Sequence, residues 1–423
     1  MKKLLICLLL FVLAFPLIAG GGQEAAKKIT MNVIVRNYTL NQDAPYKTAK
    51  AAMESKFPNV TVNLEGLGYD DSRNKTLITV GANQPLDVVQ LDYIWIGEYA
   101  EGNVLQKITD RLKSSDIYSD TIAQFLESSQ WNGEFYGVWI NTDVRIIGWV
   151  KEFVAAAGLD PEKAPATYEE LVTNAMKAQK PPETYGYFFP LISGEATVER
   201  WLSPLFSAGG KIVNEDFTKA AFNSPAGQKA LQSYVDAVNK YKIIPKVAFE
   251  SEEVNQLMLN QRLVYCFDMG VWEEVSEAEW PQERYKKVYG FGVPPKFEGG
   301  KVATTSGGYE LGIPRTAVDP DMSWEFIKLA TAVDNVKDWY IAQSRFGTRK
   351  SLAKFDQEFM KANPEYAVRK EALNYTNFAP WNPEWVKMLD PLYTAIQKAT
   401  LMEATVSQAL SEAEQAVNKI LAE

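Results

Sequence analysis

A chain of 423 residues exceeds what one hydrophobic core usually serves, so its length predicts two domains. With 44 basic against 53 acidic residues its formal net charge is -9, which argues against nucleic acid or an anionic membrane surface as partner. It has no histidine, so histidine triads, histidine-ligated zinc and imidazole acid–base chemistry are excluded, leaving carboxylate pairs as the main route to catalysis.

Lys2 and Lys3 precede an apolar run from Leu4 to Ala19, and Ala19-Gly20-Gly21 follows as a small-x-small cleavage pattern. This predicts a secretory signal peptide over residues 1–21 and a mature start near Gly22. The run is shorter than a membrane span of roughly 20 residues, and Cys7 lies inside it rather than just after it, where lipid attachment would need it. A soluble, monomeric periplasmic protein is expected. The mature chain keeps Cys266 alone, in an apolar stretch, which suits a buried inert side chain better than a reactive thiol.

Ile29 to Val35 reads as a strand, Gln42 to Phe57 as a helix ended by Pro58, and Val60 to Leu64 as a second strand. A helix over Ser72 to Gly81 leads into Asp87-Val88-Val89-Gln90-Leu91, an apolar run that fits a buried parallel strand. The alternation predicts an open α/β sheet. Ligands of such sheets bind beyond the carboxyl ends of the strands, which singles out Asp92 and Trp95 after one strand and Arg36, Asn37 and Tyr38 after another.

Tyr136 to Val150 is a long β-rich run with Asn141, Thr142, Asp143 and Arg145 embedded in it, and a strand crossing between domains is expected there. Helices then dominate from Thr167 to Tyr289, with capping chemistry at Thr167 and at Ser224-Pro225. A second crossing is expected at Val288 to Pro294. Gly307-Gly308 fits either a close backbone approach or a simple turn. Glu310 to Ile313 reads as a strand, and Pro320 to Ala332 and Thr405 to Leu421 as amphipathic helices.

Several phrases in order resemble the bacterial extracellular solute-binding family that includes maltose-binding protein, the sugar-capturing component of ABC importers. They are Gln84-Pro85-Leu86-Asp87-Val88-Val89 through Asp92, Trp95 and Tyr99-Ala100-Glu101-Gly102; Tyr136-Gly137-Val138 with Ala157-Gly158-Leu159; Phe222-Asn223-Ser224-Pro225; Asn260 to Trp272; Ser306-Gly307-Gly308-Tyr309 with Ile313-Pro314; and Phe346-Gly347-Thr348-Arg349. The chain departs from that family at the first crossing, where it carries Trp139 and then Trp149-Val150.

The resemblance implies a two-lobed periplasmic-binding-protein fold of the second type, each lobe an open α/β sheet with the ligand cleft between them. It places residues 28–138 and 291–348 in an N-terminal lobe and 139–290 and 349–423 in a C-terminal lobe. It implies capture of a mono- or oligosaccharide by hinge closure, delivery to an ABC permease in the membrane, and no cofactor. Trp272 and Trp381 are then the expected stacking platforms, with Asp92 accepting from sugar hydroxyls. Asn141, Trp95, Tyr309 and Trp201 are further candidates, with Gly307 and Gly308 beside them. The 11 Trp, 20 Tyr and 20 Phe supply ample flat faces, although most must fill core. Two alternatives remain: the same fold taking a polyamine, an organophosphate or a peptide, and an exported glycosidase using paired carboxylates.

Overall fold

Ile29–Arg36 forms β1, whose inward Met31, Val33 and Val35 are buried, as the alternating pattern requires. The computed structural model describes residues 28–36, 44–189, 191, 194–245, 256–267, 282–337 and 345–423. The other strands are β2 (Val60–Leu67), β3 (Val88–Asp92), β4 (Gln130–Trp131), β5 (Glu134–Phe135), β6 (Gly137–Thr142), β7 (Ile147–Val150), β8 (Tyr265–Phe267), β9 (Tyr289–Gly292), β10 (Thr304–Thr305), β11 (Gly308–Gly312) and β12 (Thr376–Asn377). The expected leader lies outside the described residues.

The first sheet has the order β2-β1-β3-β11-β6. β1 runs parallel to β2 and β3, and β11 returns antiparallel to β3 and β6. One face buries Met31, Val33, Val35, Val88 and Leu311 against the helices Ala44–Lys56 and Pro320–Ala330, which contribute Met53, Trp324, Phe326 and Ile327. β3 is buried along its whole length, which explains its unbroken apolar reading.

The second sheet has the order β8-β7-β9, entirely antiparallel. Around it pack the helices Tyr168–Ala178, Glu195–Ser207, Pro225–Asn239, Trp385–Thr400 and Val406–Ile420. Local chemistry starts three of them: the Thr167 hydroxyl accepts from the Glu170 N–H, Ser224 accepts from Gly227 ahead of Pro225, and Thr405 with Gln408 forms a capping box. Each such cap contributes about 1 kcal/mol.

The β-rich run expected as one crossing is two strands in two different sheets. β6 ends in the first sheet at Thr142 and β7 begins in the second at Ile147, so Asp143 to Ile146 carry the chain across. The chain returns between β9 and β11, passing through β10, which belongs to neither of these sheets. A third segment lies alongside, because Thr142 and Phe346 exchange backbone hydrogen bonds of 2.8 and 2.7 Å. Trp139 and Trp149, the two departures from the family pattern, are core residues. Trp139 stacks on Tyr93 with ring centroids 5.5 Å apart, and the Trp149 indole N–H donates to the Pro161 carbonyl at 2.8 Å.

Candidate ligand-binding cleft

Asp92, Tyr309 and Asn141 are neighbours across three strands: Tyr309 of β11 pairs in register with Asp92 of β3 on one side and Asn141 of β6 on the other. They stand at the edge where the parallel strands end. Arg36 closes β1 at the same edge, and Tyr69 follows β2 as the first residue of the helix Tyr69–Gly81. The Arg36 guanidinium lies between the Tyr69 and Tyr309 rings, 4.4 Å from each centroid, and Trp95 rests on Tyr69 at 4.8 Å. Such a stack fixes a flat cation between two π faces. Asp92 also accepts from the Ile94 N–H at 3.3 Å, which caps the turn Tyr93–Trp95 and sets the position of Trp95.

The helix Glu195–Ser207, packed with the second sheet's helices, faces this edge from the opposite side. Glu195 and Glu199 are one turn apart and share a face. The Tyr69 hydroxyl donates to Glu195 Oε2 at 2.8 Å and lies 3.2 Å from Asp92 Oδ2, so one phenol touches both a carboxyl of β3 and one of the facing helix. Beside it the crossing segments are joined through Asp143. Its carboxylate accepts from Arg145 Nη1 at 2.7 Å, Arg345 Nη1 at 2.8 Å and the Gly307 N–H at 2.9 Å. Arg145 Nη2 reaches on to Glu199 at 2.8 Å.

Position 308 requires glycine. A Cβ on Gly308, whose φ is +143°, would lie 2.4 Å from the Asn141 carbonyl oxygen. One on Gly307 would lie 3.0 Å from Arg145 Nη1. Of the two readings of this dipeptide, the close approach describes it.

Burial dominates the acidity of the cleft carboxyls. It pushes Asp92, Glu195 and Glu199 up to about 7; Arg36 opposes the shift at Asp92, Asp92 adds to it at Glu195, and Arg145 opposes it at Glu199. Asp143 goes the other way. Burial would raise it too, but Arg145, Arg345 and the Gly307 N–H together hold it well below the usual carboxylate range. Burial lowers Arg36 to about 9, so it remains a cation at neutral pH.

The expected residues thus divide into groups. Asp92, Asn141 and Tyr309 converge, with Gly307 and Gly308 at the adjoining crossing and Trp95 fully buried behind Tyr69. Asn141 is fully buried, and neither amide atom has a hydrogen-bond partner among the described residues. Trp201 is fully buried in the second lobe, edge-on to Phe222 at 6.4 Å. Trp381 is half-buried, its carbonyl accepting from the Gly97 N–H at 3.1 Å, its indole N–H donating to Gln130 O at 3.2 Å and its ring edge-on to Phe217. Asn37, Tyr38 and Trp272 lie outside the described residues. Tyr69, Glu195, Glu199 and Arg345 were missed by sequence reasoning. The first has the same signal as Arg36, a polar side chain just past a parallel strand, and the two glutamates stand four apart in an otherwise apolar helical pattern.

Among the described residues no group of three or more histidines, cysteines, aspartates or glutamates could hold a metal ion, and no helix is long and apolar enough to cross a membrane. The chain belongs to the bacterial extracellular solute-binding protein family, whose model matches residues 48–368. The family and the similar structures are solute-binding proteins rather than enzymes. A solute-binding protein of an ABC transporter from Thermotoga lettingae TMO, bound with alpha-D-tagatose, superimposes with a TM-score of 0.83 at 24% identity, covering 93% of this chain and 100% of that one. A maltose-bound protein of T. maritima gives 0.81 at 22% identity, with 93% and 100% covered. Among curated proteins, a binding protein of Brucella abortus (strain 2308) is 21% identical over 418 residues, covering 97% of this chain and 96% of its own. A protein of Sinorhizobium fredii described as an amino-acid ABC transporter periplasmic-binding protein is 25% identical over 287 residues, 66% of this chain and 64% of that one.

Proposed function

We propose that this protein is the periplasmic component of an ABC importer, that it captures a small sugar or polyol between its lobes, and that it presents the closed form to the permease. The observation that carries the reading is the Asp92–Tyr309–Asn141 row, flanked by Tyr69 and facing Glu195 across the cleft. Carboxylates accept from adjacent hydroxyls, guanidiniums and an amide serve hydroxyl oxygens, and an aromatic face covers C–H groups. Arg36, Arg145 and Arg345 alternate with Asp92, Asp143, Glu195 and Glu199, so neither sign dominates. A neutral polyhydroxy ligand fits such a mixture better than an ion of one sign. Closure follows because only the closed form gives the ligand both lobes, and the affinity difference shifts the equilibrium.

The lobe division we propose follows sheet membership, with β1, β2, β3, β6 and β11 in one lobe and β7, β8 and β9 in the other. Cleavage near Gly22, a monomeric state and delivery to a membrane permease belong to the same reading. It includes no catalytic step.

A second reading has its own support. An amino acid presents a carboxylate and an ammonium, which Arg36 and Asp92 could receive, and one relative is described as an amino-acid binding protein. A thermal-shift panel of monosaccharides, disaccharides, polyols and amino acids separates the two, because a ligand of the native state raises the melting temperature by mass action. Shifts from sugars or polyols are expected. A shift from amino acids alone would replace the first reading by the second.

A further inference from the structure

We propose that Tyr69, Asp92 and Glu195 form a cross-lobe latch that a single carboxyl proton fastens, so that closure of the cleft is linked to pH as well as to solute. The proposal rests on the hinge-closing reading above, but not on the identity of the ligand.

Tyr69 Oη lies 2.8 Å from Glu195 Oε2 and 3.2 Å from Asp92 Oδ2, both within hydrogen-bonding range. A phenol carries one proton and donates one hydrogen bond, while an ionised carboxylate only accepts. With both acids ionised, one of the two contacts would be oxygen against oxygen with no hydrogen between them. Protonating one acid completes the chain. The Asp92 acid donates to the phenol oxygen and the phenol donates to the Glu195 carboxylate, or the same series runs in reverse.

The surroundings favour holding that proton. Asp92 is buried and Glu195 half-buried. The charged and titratable groups around the latch are Arg36 from β1, Arg73 from the helix of Tyr69, Tyr93 from the turn after β3, Glu310 from β11, Asp143 and Arg145 from the crossing, Glu199 and Arg200 from the helix of Glu195, and Arg345. Arg36 and Arg145 pull the two acids down, but desolvation outweighs them and both rise to about 7. Tyr69 itself is pushed well above its ordinary value, so it does not release the proton in their place. Parting the lobes takes Glu195 away with its helix and returns both acids to water and to ordinary acidity. The closed form therefore binds more protons than the open form. Closure is favoured as pH falls and lost as pH rises through about 7, with the closed-to-open ratio changing on the order of 10- to 100-fold between pH 5 and pH 8.

Small-angle X-ray scattering of the exported protein without added solute, from pH 5 to pH 8.5, tests this directly. The radius of gyration should be smallest at pH 5 and grow with a midpoint near 7. Glu195→Gln carries an amide N–H that donates to the phenol at any pH, so it should stay compact throughout. Tyr69→Phe has no bridging hydroxyl and should be open throughout. A flat wild-type profile, or a Glu195→Gln variant that keeps the wild-type midpoint, would overturn the latch. Either result leaves the sugar reading to the thermal-shift panel, which this measurement does not use.

Discussion

Asp143 Oδ2 accepts from Arg345 Nη1 at 2.8 Å, and this contact ties together two of the segments that pass between the lobes. The other Asp143 oxygen holds Arg145 and the Gly307 N–H, so one carboxylate serves all three crossings.

Replacing Asp143 by Ala removes the shared acceptor of two guanidiniums and should cost about 3–5 kcal/mol, the range for breaking a buried ion pair by removing one partner. Because its acidity is held well below the ordinary range, the contribution is fully present above the unfolded carboxyl's pKa and fades as pH falls through the folded one. Urea unfolding should therefore show a large gap between wild type and Asp143→Ala at pH 7 that shrinks in strong acid. A gap independent of pH would remove the carboxylate from the hinge.

Glu310 should behave in the opposite sense. It is fully buried against Gly137, and burial raises it well above the ordinary range, with Asp92 adding to the shift and the Ser129 hydroxyl opposing it. The folded state thus keeps a proton that the unfolded chain releases, so wild-type stability declines as pH rises above the ordinary carboxyl range. Glu310→Gln keeps the shape without the titration. Its melting temperature relative to wild type should increase from pH 5 to pH 8, by about 1–3 °C or more. An unchanged difference across that range would show that Glu310 does not titrate between the two states.

Trp201 is enclosed by the second lobe, so Trp201→Ala should lose about 3–5 kcal/mol of stability while the folded fraction keeps its affinity within roughly threefold. Calorimetric unfolding and ligand titration on the same sample separate the two effects. Normal stability with lost binding would instead make Trp201 a cleft residue.

The sequence was most legible where hydrophobic period and capping agree. The strand at Ile29, the buried run ending at Asp92, and the helices capped by Thr167, Ser224 and Thr405 all form, with ends within a few residues of expectation. The rule that ligands sit beyond strand ends singled out Asp92 and Arg36, which end neighbouring strands at one edge. It was silent on what faces them, because Glu195 reaches Tyr69 across 126 residues of sequence. The first crossing read as continuous because β6 and β7 are both buried strands, and nothing local marks the change of sheet at Asp143. Trp201 read as a possible platform since an indole looks the same in sequence whether it lines a cleft or fills a core; Phe222 decides its packing.

The most direct test of the cleft is calorimetric titration of the best sugar or polyol into wild type and Asp92→Ala at one pH. Wild type should bind, and Asp92→Ala should bind at least about 30-fold more weakly, close to 2 kcal/mol for losing a charged acceptor. Equal affinity in the two proteins, or no heat from any sugar or polyol, would contradict a sugar site built on the Asp92–Tyr309–Asn141 row.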